Sequence, residues 1–202
     1  MIEISFVSLE LAFAAVWLLA RIFVWIRQKR IVWKREAVLL LLYLSLAVII
    51  RFVFFPRDTV RGQILPLVFD PSAVFPFHVN YVPFVNFSNF KTAEETLWNV
   101  GGNVVMFIPL GVVLPFAYKS RRSFGKVVAT GALISLCVET IQLLFASRTS
   151  DIDDLILNTL GVMIGYGIYA LSKSRGRQAA DPSGEGKTPV AQEIKSVDGK
   201  PK

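Results

Sequence analysis

Residues 37–50 read AVLLLLYLSLAVII, an apolar run with no charge, proline or glycine in it. A helix needs roughly 20 mostly apolar residues to cross the hydrocarbon core of a bilayer. Extended to about position 55, this run reaches that length, and it is the plainest of five such segments. The others cover about 4–26, 98–118, 125–146 and 153–171. The whole chain of 202 residues points the same way: 53% is hydrophobic, 16 residues are Phe, and the mean hydropathy is +0.53. That composition excludes an ordinary soluble domain. The expected class is an all-α integral membrane protein with about five transmembrane helices.

The net charge of +7 does not imply nucleic acid, because Lys and Arg gather on the cytoplasmic loops of membrane proteins. Three basic clusters separate or follow the spans: Arg27, Lys29, Arg30, Lys34 and Arg35; Lys119, Arg121, Arg122 and Lys126; Lys173, Arg175 and Arg177. With five spans all three fall on one side, which the positive-inside rule makes cytoplasmic. The N-terminus is then expected outside and the C-terminus in the cytoplasm. The first span has no basic residue ahead of its apolar core, the reverse of a cleavable signal, and is expected to be retained.

Four stretches differ in character. Residues 1–55 hold two spans, 56–97 form an extracytoplasmic loop rich in Phe and Pro, 98–171 hold three spans, and 172–202 form a basic tail. The loop contains VFPFHVNYVPFVNF at 74–87, too apolar for a solvated linker and suited to fold over the helices or lie at the lipid interface. At its end, TAEETL at 92–97 reads as a helix start with Thr92 as cap and Glu94 and Glu95 in the first turn. The tail is rich in Gly, Pro, Ser and Lys and is expected to be disordered.

Polar groups inside spans are costly where they face lipid, so they mark the bundle interior. Asn99 and Asn103 lie four apart in the third span, with Gly101 and Gly102 between them. Ser135, Glu139 and Gln142 share one stripe of the fourth. Asp154, Asn158, Gly161 and Gly165 share one stripe of the fifth. Between the last two spans stands RTSDIDDLILNTLG at 148–161. Ser150 or Asp151 suits the role of helix cap there, with Asp153 and Asp154 favouring the positive helix end. The three stripes, brought together, make a polar pocket opening outward. Its expected ligand-binding residues are Asn103, Glu139, Gln142, Arg148, Asp151, Asp153, Asp154 and Asn158. Glu139 and Asp154 are the candidates for acid–base chemistry. Glu139, Asp151, Asp153 and Asp154 are the candidates for a divalent cation, since Mg²⁺ and Ca²⁺ take oxygen ligands. Cys137 is the only cysteine and His78 the only histidine, which excludes a zinc spacing and an intrachain disulfide.

The order NVVMFIPLGVVLP (103–115), SLCVETIQ (135–142) and RTSDIDDLILNTLGVMIGY (148–166), preceded by NYVPF (80–84), resembles the VanZ-like family. These are membrane proteins named for teicoplanin resistance. The resemblance covers about half of the chain. It implies a bacterial protein crossing the cytoplasmic membrane several times and lowering susceptibility to teicoplanin and related lipoglycopeptides. Binding of the drug or of a lipid-linked cell-wall precursor in the outward pocket is the expectation that follows, with membrane lipids as partners and no nucleic acid. Two alternatives stay open: an enzyme acting on polyprenyl-linked or phospholipid substrates by carboxylate or metal-assisted chemistry, and a transporter or scaffold of the envelope.

Overall fold

The computed structural model describes residues 2–55, 59–60, 62–70, 75, 78–83, 92–145 and 148–180. The chain divides into a unit Met1–Tyr169 and a second unit Ala170–Lys202. Among the described residues five helices are long and apolar enough to cross a membrane, in accord with the expected number. Helix α1 covers Phe6–Gln28 and α2 covers Trp33–Phe54. A short helix α3 (Ala93–Thr96), a π-helical turn (Leu97–Gly101) and α4 (Gly102–Ala117) follow one another without a break and form the third. Helix α5 is Phe124–Gln142, and α6 is Ile152–Ala180.

The helix ends follow local chemistry. Ser5 caps α1 by accepting the backbone N–H of Ser8 (3.1 Å), and Lys29 closes it in the left-handed region at φ 51°. Thr92 accepts the backbone N–H of Glu95 at 3.1 Å, as a cap does. Helix α6 runs on to Ala180, past the expected start of the tail at 172. The strongly helix-favouring residues Leu171, Lys173 and Arg175 suit that continuation. Residues 181–202, the remainder of the expected disordered tail, lie outside the described residues.

The all-α expectation needs one correction, because short strands pair beside the helices. Strand β1 (Ile2–Ile4) runs antiparallel to β4 (Leu67–Phe69). Strands β2 (Thr59–Val60) and β3 (Gln63–Ile64) form a tight hairpin, with Gly62 between them at φ 77°, where a side chain would be strained. Strand β5 (Val79–Asn80) lies parallel to β6 (Ser150–Asp151). The apolar 56–97 segment thus gives its backbone groups partners on two other parts of the chain. Much of the Phe-rich stretch, including 84–91, lies outside the described residues.

The core is built on α2, α4, α5 and α6. Ile49, Phe55, Phe107, Leu110, Val127 and Val162 are almost wholly buried, and α2 packs along α4. Helices α4 and α6 approach backbone to backbone. A Cβ added at Gly161 would lie 2.2 Å from the Val104 carbonyl oxygen, one at Gly165 2.2 Å from that of Ile108, and one at Gly111 2.2 Å from that of Val162. Only glycine allows this spacing, the usual device by which membrane helices pack closely. Helix α1 buries no residue. It is joined to α2 by stacking of Phe13 on Tyr43 (5.2 Å between centroids) and by a two-pronged ion pair. Arg21, part-buried, donates to Glu36 through Nε (2.9 Å) and Nη2 (2.6 Å), since a guanidinium drawn out of water without a partner is far more costly than a paired one.

Gly161→Leu should lower the melting temperature of the detergent-solubilised protein, by overpacking worth about 1–3 kcal/mol. Gly167→Ala, where a Cβ meets nothing within 4 Å, should leave it unchanged. Equal melting of Gly161→Leu and the unaltered protein would refute the close approach.

Candidate functional site

The C-terminal ends of α2 and α5 and the N-terminal parts of α4 and α6 meet around a cleft of about 710 Å³. The alternation of the chain through five spans puts these four ends together. Part of the lining is apolar: Val48, Phe52, Leu97, Trp98, Val105 and Met106. The lining also carries the polar residues Asn103, Glu139, Gln142, Arg148, Asp154 and Asn158. The π-helical turn contributes Leu97, Trp98 and Asn99 to the lining. Such turns widen a helix by one residue and recur at functional sites.

Each polar group is held from a different element. Glu139, on the last turns of α5, is 4% exposed, and its Oε2 accepts the backbone N–H of Asp151 at 3.0 Å. The Gln142 amide has two orientations. In one it reaches the Val53 carbonyl at 3.4 Å. In the other it donates to Glu139 Oε2 at 3.0 Å and Oε1 at 3.3 Å. The second gives the carboxylate a donor and is the better pairing. Asn103 of α4 donates to Asp154 of α6. Asn158, one turn deeper and only 1% exposed, donates to Ser135 Oγ of α5 at 2.9 Å. Its Oδ1 has no partner among the described residues.

Arg148 donates from Nη2 to the Phe54 carbonyl at the end of α2, while its Nε is buried without a partner among the described residues. Burial pulls the guanidinium below the usual arginine range, although arginine keeps its charge at any physiological pH. Among the described residues Arg148 forms no ion pair with Glu139 or Asp154, and the ion pair present is Arg21 with Glu36.

The three aspartates divide. Asp151 caps α6, accepting the backbone N–H of Asp153 at 2.9 Å. Both its carboxylate oxygens also accept from Asn80 Nδ2, each at 3.2 Å. The β5–β6 pairing holds that contact, with Ser150 N–H donating to the His78 carbonyl at 3.0 Å. Asp153 is buried but does not line the cleft, and neither does Asp151. Of the eight expected ligand-binding residues, six therefore converge, and Asp151 and Asp153 stand behind them as support. Among the described residues no three His, Cys, Asp or Glu side chains are grouped to hold a metal ion.

Sequence reasoning missed the α2 lining and understated Asn80. Val48 and Phe52 carry no polar signal that sets them apart from lipid-facing residues. Asn80 had one, its place in NYVPF beside the three-motif core.

The family pattern described as VanZ/LLP1 matches residues 13–173, which takes in all five long helices at least in part and every residue of the cleft. The chain belongs to the VanZ/LLP1 family. It is also 33% identical over 115 residues to Protein VanZ of Enterococcus faecium, an overlap of 55% of this chain. The overlap spans 66% of that relative, just under two thirds of its length. No solved structure is similar. The VanZ/LLP1 match reaches back through α2 to α1, well upstream of the motifs that carried the resemblance, and α2 contributes Val48, Phe52 and Val53 to the cleft lining.

Asn80→Ala and Asp151→Ala should each lower the melting temperature. Combined, they should fall short of additivity by roughly 0.5–3 kcal/mol, the range for groups that share a bond. Strict additivity in a double-mutant cycle would show that Asn80 does not hold the α6 cap.

Proposed function

We propose that this protein lowers susceptibility to teicoplanin and related lipoglycopeptides by holding the drug, or a lipid-linked cell-wall precursor, in the cleft. The observation that carries the reading is a lining of both apolar and polar side chains around about 710 Å³. That volume is within the range of small-molecule sites, and the mixed lining suits an amphiphile. Arg148 suits a phosphate or carboxylate. Asn103, Gln142 and Asn158 suit sugar hydroxyls and amides, and Phe52, Trp98 and Val105 suit a chain. The positive-inside rule, applied to the three basic clusters, favours an orientation with the cleft outside the cytoplasmic membrane of a bacterium. The drug and the precursor it recognises act on that side. The likeness to Protein VanZ supports the same reading.

A second reading rests on Glu139 and Asp154 lining one cleft. Two carboxylates supply a general acid and base, or the protein ligands of a Mg²⁺ whose other ligands are waters and substrate phosphates. Polyprenyl-linked or phospholipid substrates are the matching class. Purified protein whose melting temperature ignores Mg²⁺ and Ca²⁺, and which turns over no such lipid, counts against it.

Expressed in a susceptible host, the unaltered protein should raise the teicoplanin concentration needed to stop growth. Glu139→Gln, Arg148→Ala and Asp154→Asn should each remove that protection at equal protein level. Full protection by all three variants would sink the assignment.

A further inference from the structure

Resting on the reading of the cleft as a ligand site, we infer that its ligand is a chain-bearing amphiphile whose headgroup carries both an acidic group and an amine, as an aminophospholipid does. The cleft holds ionisable groups of both kinds, and among the described residues they form no ion pair with one another. Among the described residues Glu139 and Asp154 are answered by neutral donors: the Asp151 backbone N–H and Gln142 for the first, Asn103 for the second. Hydrogen bonds of that kind hold a carboxyl group in position and bring no counter-charge. Arg148 is answered by a backbone carbonyl, and its Nε points to no partner among the described residues. A purely anionic headgroup would satisfy Arg148 and face two carboxylates. A purely cationic one would do the reverse. A headgroup with both charges answers all three, and burial away from water strengthens each pairing.

Asn158 supplies a second, independent sign. It is 1% exposed, lines the cleft, donates an amide N–H to Ser135, and leaves Oδ1 without a partner among the described residues. A buried amide oxygen without a donor costs about 1–3 kcal/mol. It therefore marks where an N–H donor of the ligand belongs, one helical turn below Asp154. The rest of the lining fits as well. Val48 and Phe52 of α2 line the cleft and are exposed, and Arg148 is tied to Phe54 of the same helix. The acidic residues and Asn158 belong to α5 and α6. Chain, acidic group and amine then find apolar side chains, an arginine and carboxyl groups lining one cleft.

The test uses the full chain in detergent, with short-chain phosphatidylethanolamine, phosphatidylglycerol and dodecylamine as probes: both charges, acid only, amine only. Retention is read by native mass spectrometry and by thermal shift, and teicoplanin is run beside them as a second carrier of amine, acid and chain. Phosphatidylethanolamine, teicoplanin or both should bind roughly tenfold more tightly than either single-charge probe, the size of one charge-assisted bond. Arg148→Ala should erase the advantage over dodecylamine, and Glu139→Gln the advantage over phosphatidylglycerol. Gly102→Leu provides the control for place. Gly102 lines the cleft, and a Cβ there meets nothing within 4 Å, so a leucine fills the space without straining the fold. Its melting temperature should hold while retention of every probe falls. Phosphatidylglycerol bound as tightly as both two-charge ligands, with Gly102→Leu still abolishing retention, would overturn the headgroup inference and leave the cleft as a site. Undiminished retention by a stably folded Gly102→Leu would overturn the site itself.

Discussion

Helices α4 and α6 lie backbone against backbone, and the position of each polar group in the cleft depends on that approach. Glycines at 111, 161 and 165 remove the side chains that would hold the two helices apart. With the axes so close, Asn103 on one helix reaches Asp154 on the other. Helix α5 is then tied to α6 through Ser135 and Asn158. The two contacts lie one turn apart on α6, so three helices are registered by amides that would be costly anywhere facing lipid. The small residues bring the helices together, and the amides set how they slide along one another.

A bilayer core offers no water to satisfy stray polar groups, and the chain meets that constraint in two ways. Toward α1 it neutralises, pairing Arg21 with Glu36 by two short bonds. At the cleft it hydrogen-bonds Glu139, Asp154 and Arg148 to neutral groups, with no ion pair between them among the described residues. The contrast separates a structural pair from a site. The support behind the site is layered: Asn80 holds Asp151, Asp151 caps α6 and presents its N–H to Glu139, and Glu139 faces the cleft. One segment of the 56–97 loop thereby fixes the geometry of a residue on α5.

Much of this was legible in the chain. The five apolar runs were plain, since a span must be long and apolar whatever surrounds it. The stripes through Glu139 and Gln142, and through Asp154 and Asn158, followed from helical periodicity. Their residues do line one cleft. Spacing along RTSDIDDL could not divide the aspartates into Asp151 as cap, Asp153 as buried support and Asp154 as cleft residue. That division depends on where Glu139 and Asn80 arrive from elsewhere. The α2 lining was silent for a different reason. Apolar residues facing a ligand and apolar residues facing lipid obey the same rule of composition.

By itself, the sequence determined the helical class, the five helices long and apolar enough to cross a membrane among the described residues and the polar residues expected to face inward. These are consequences of solvent: hydrocarbon admits only long apolar helices and rejects unpaired polar groups. Only the tertiary structure decided which ionisable groups pair with one another among the described residues. Arg21 found Glu36, while Arg148 found a backbone carbonyl rather than Glu139 or Asp154. Charge pairing is set by a few ångströms between elements far apart in the chain, a distance that periodicity and composition do not carry.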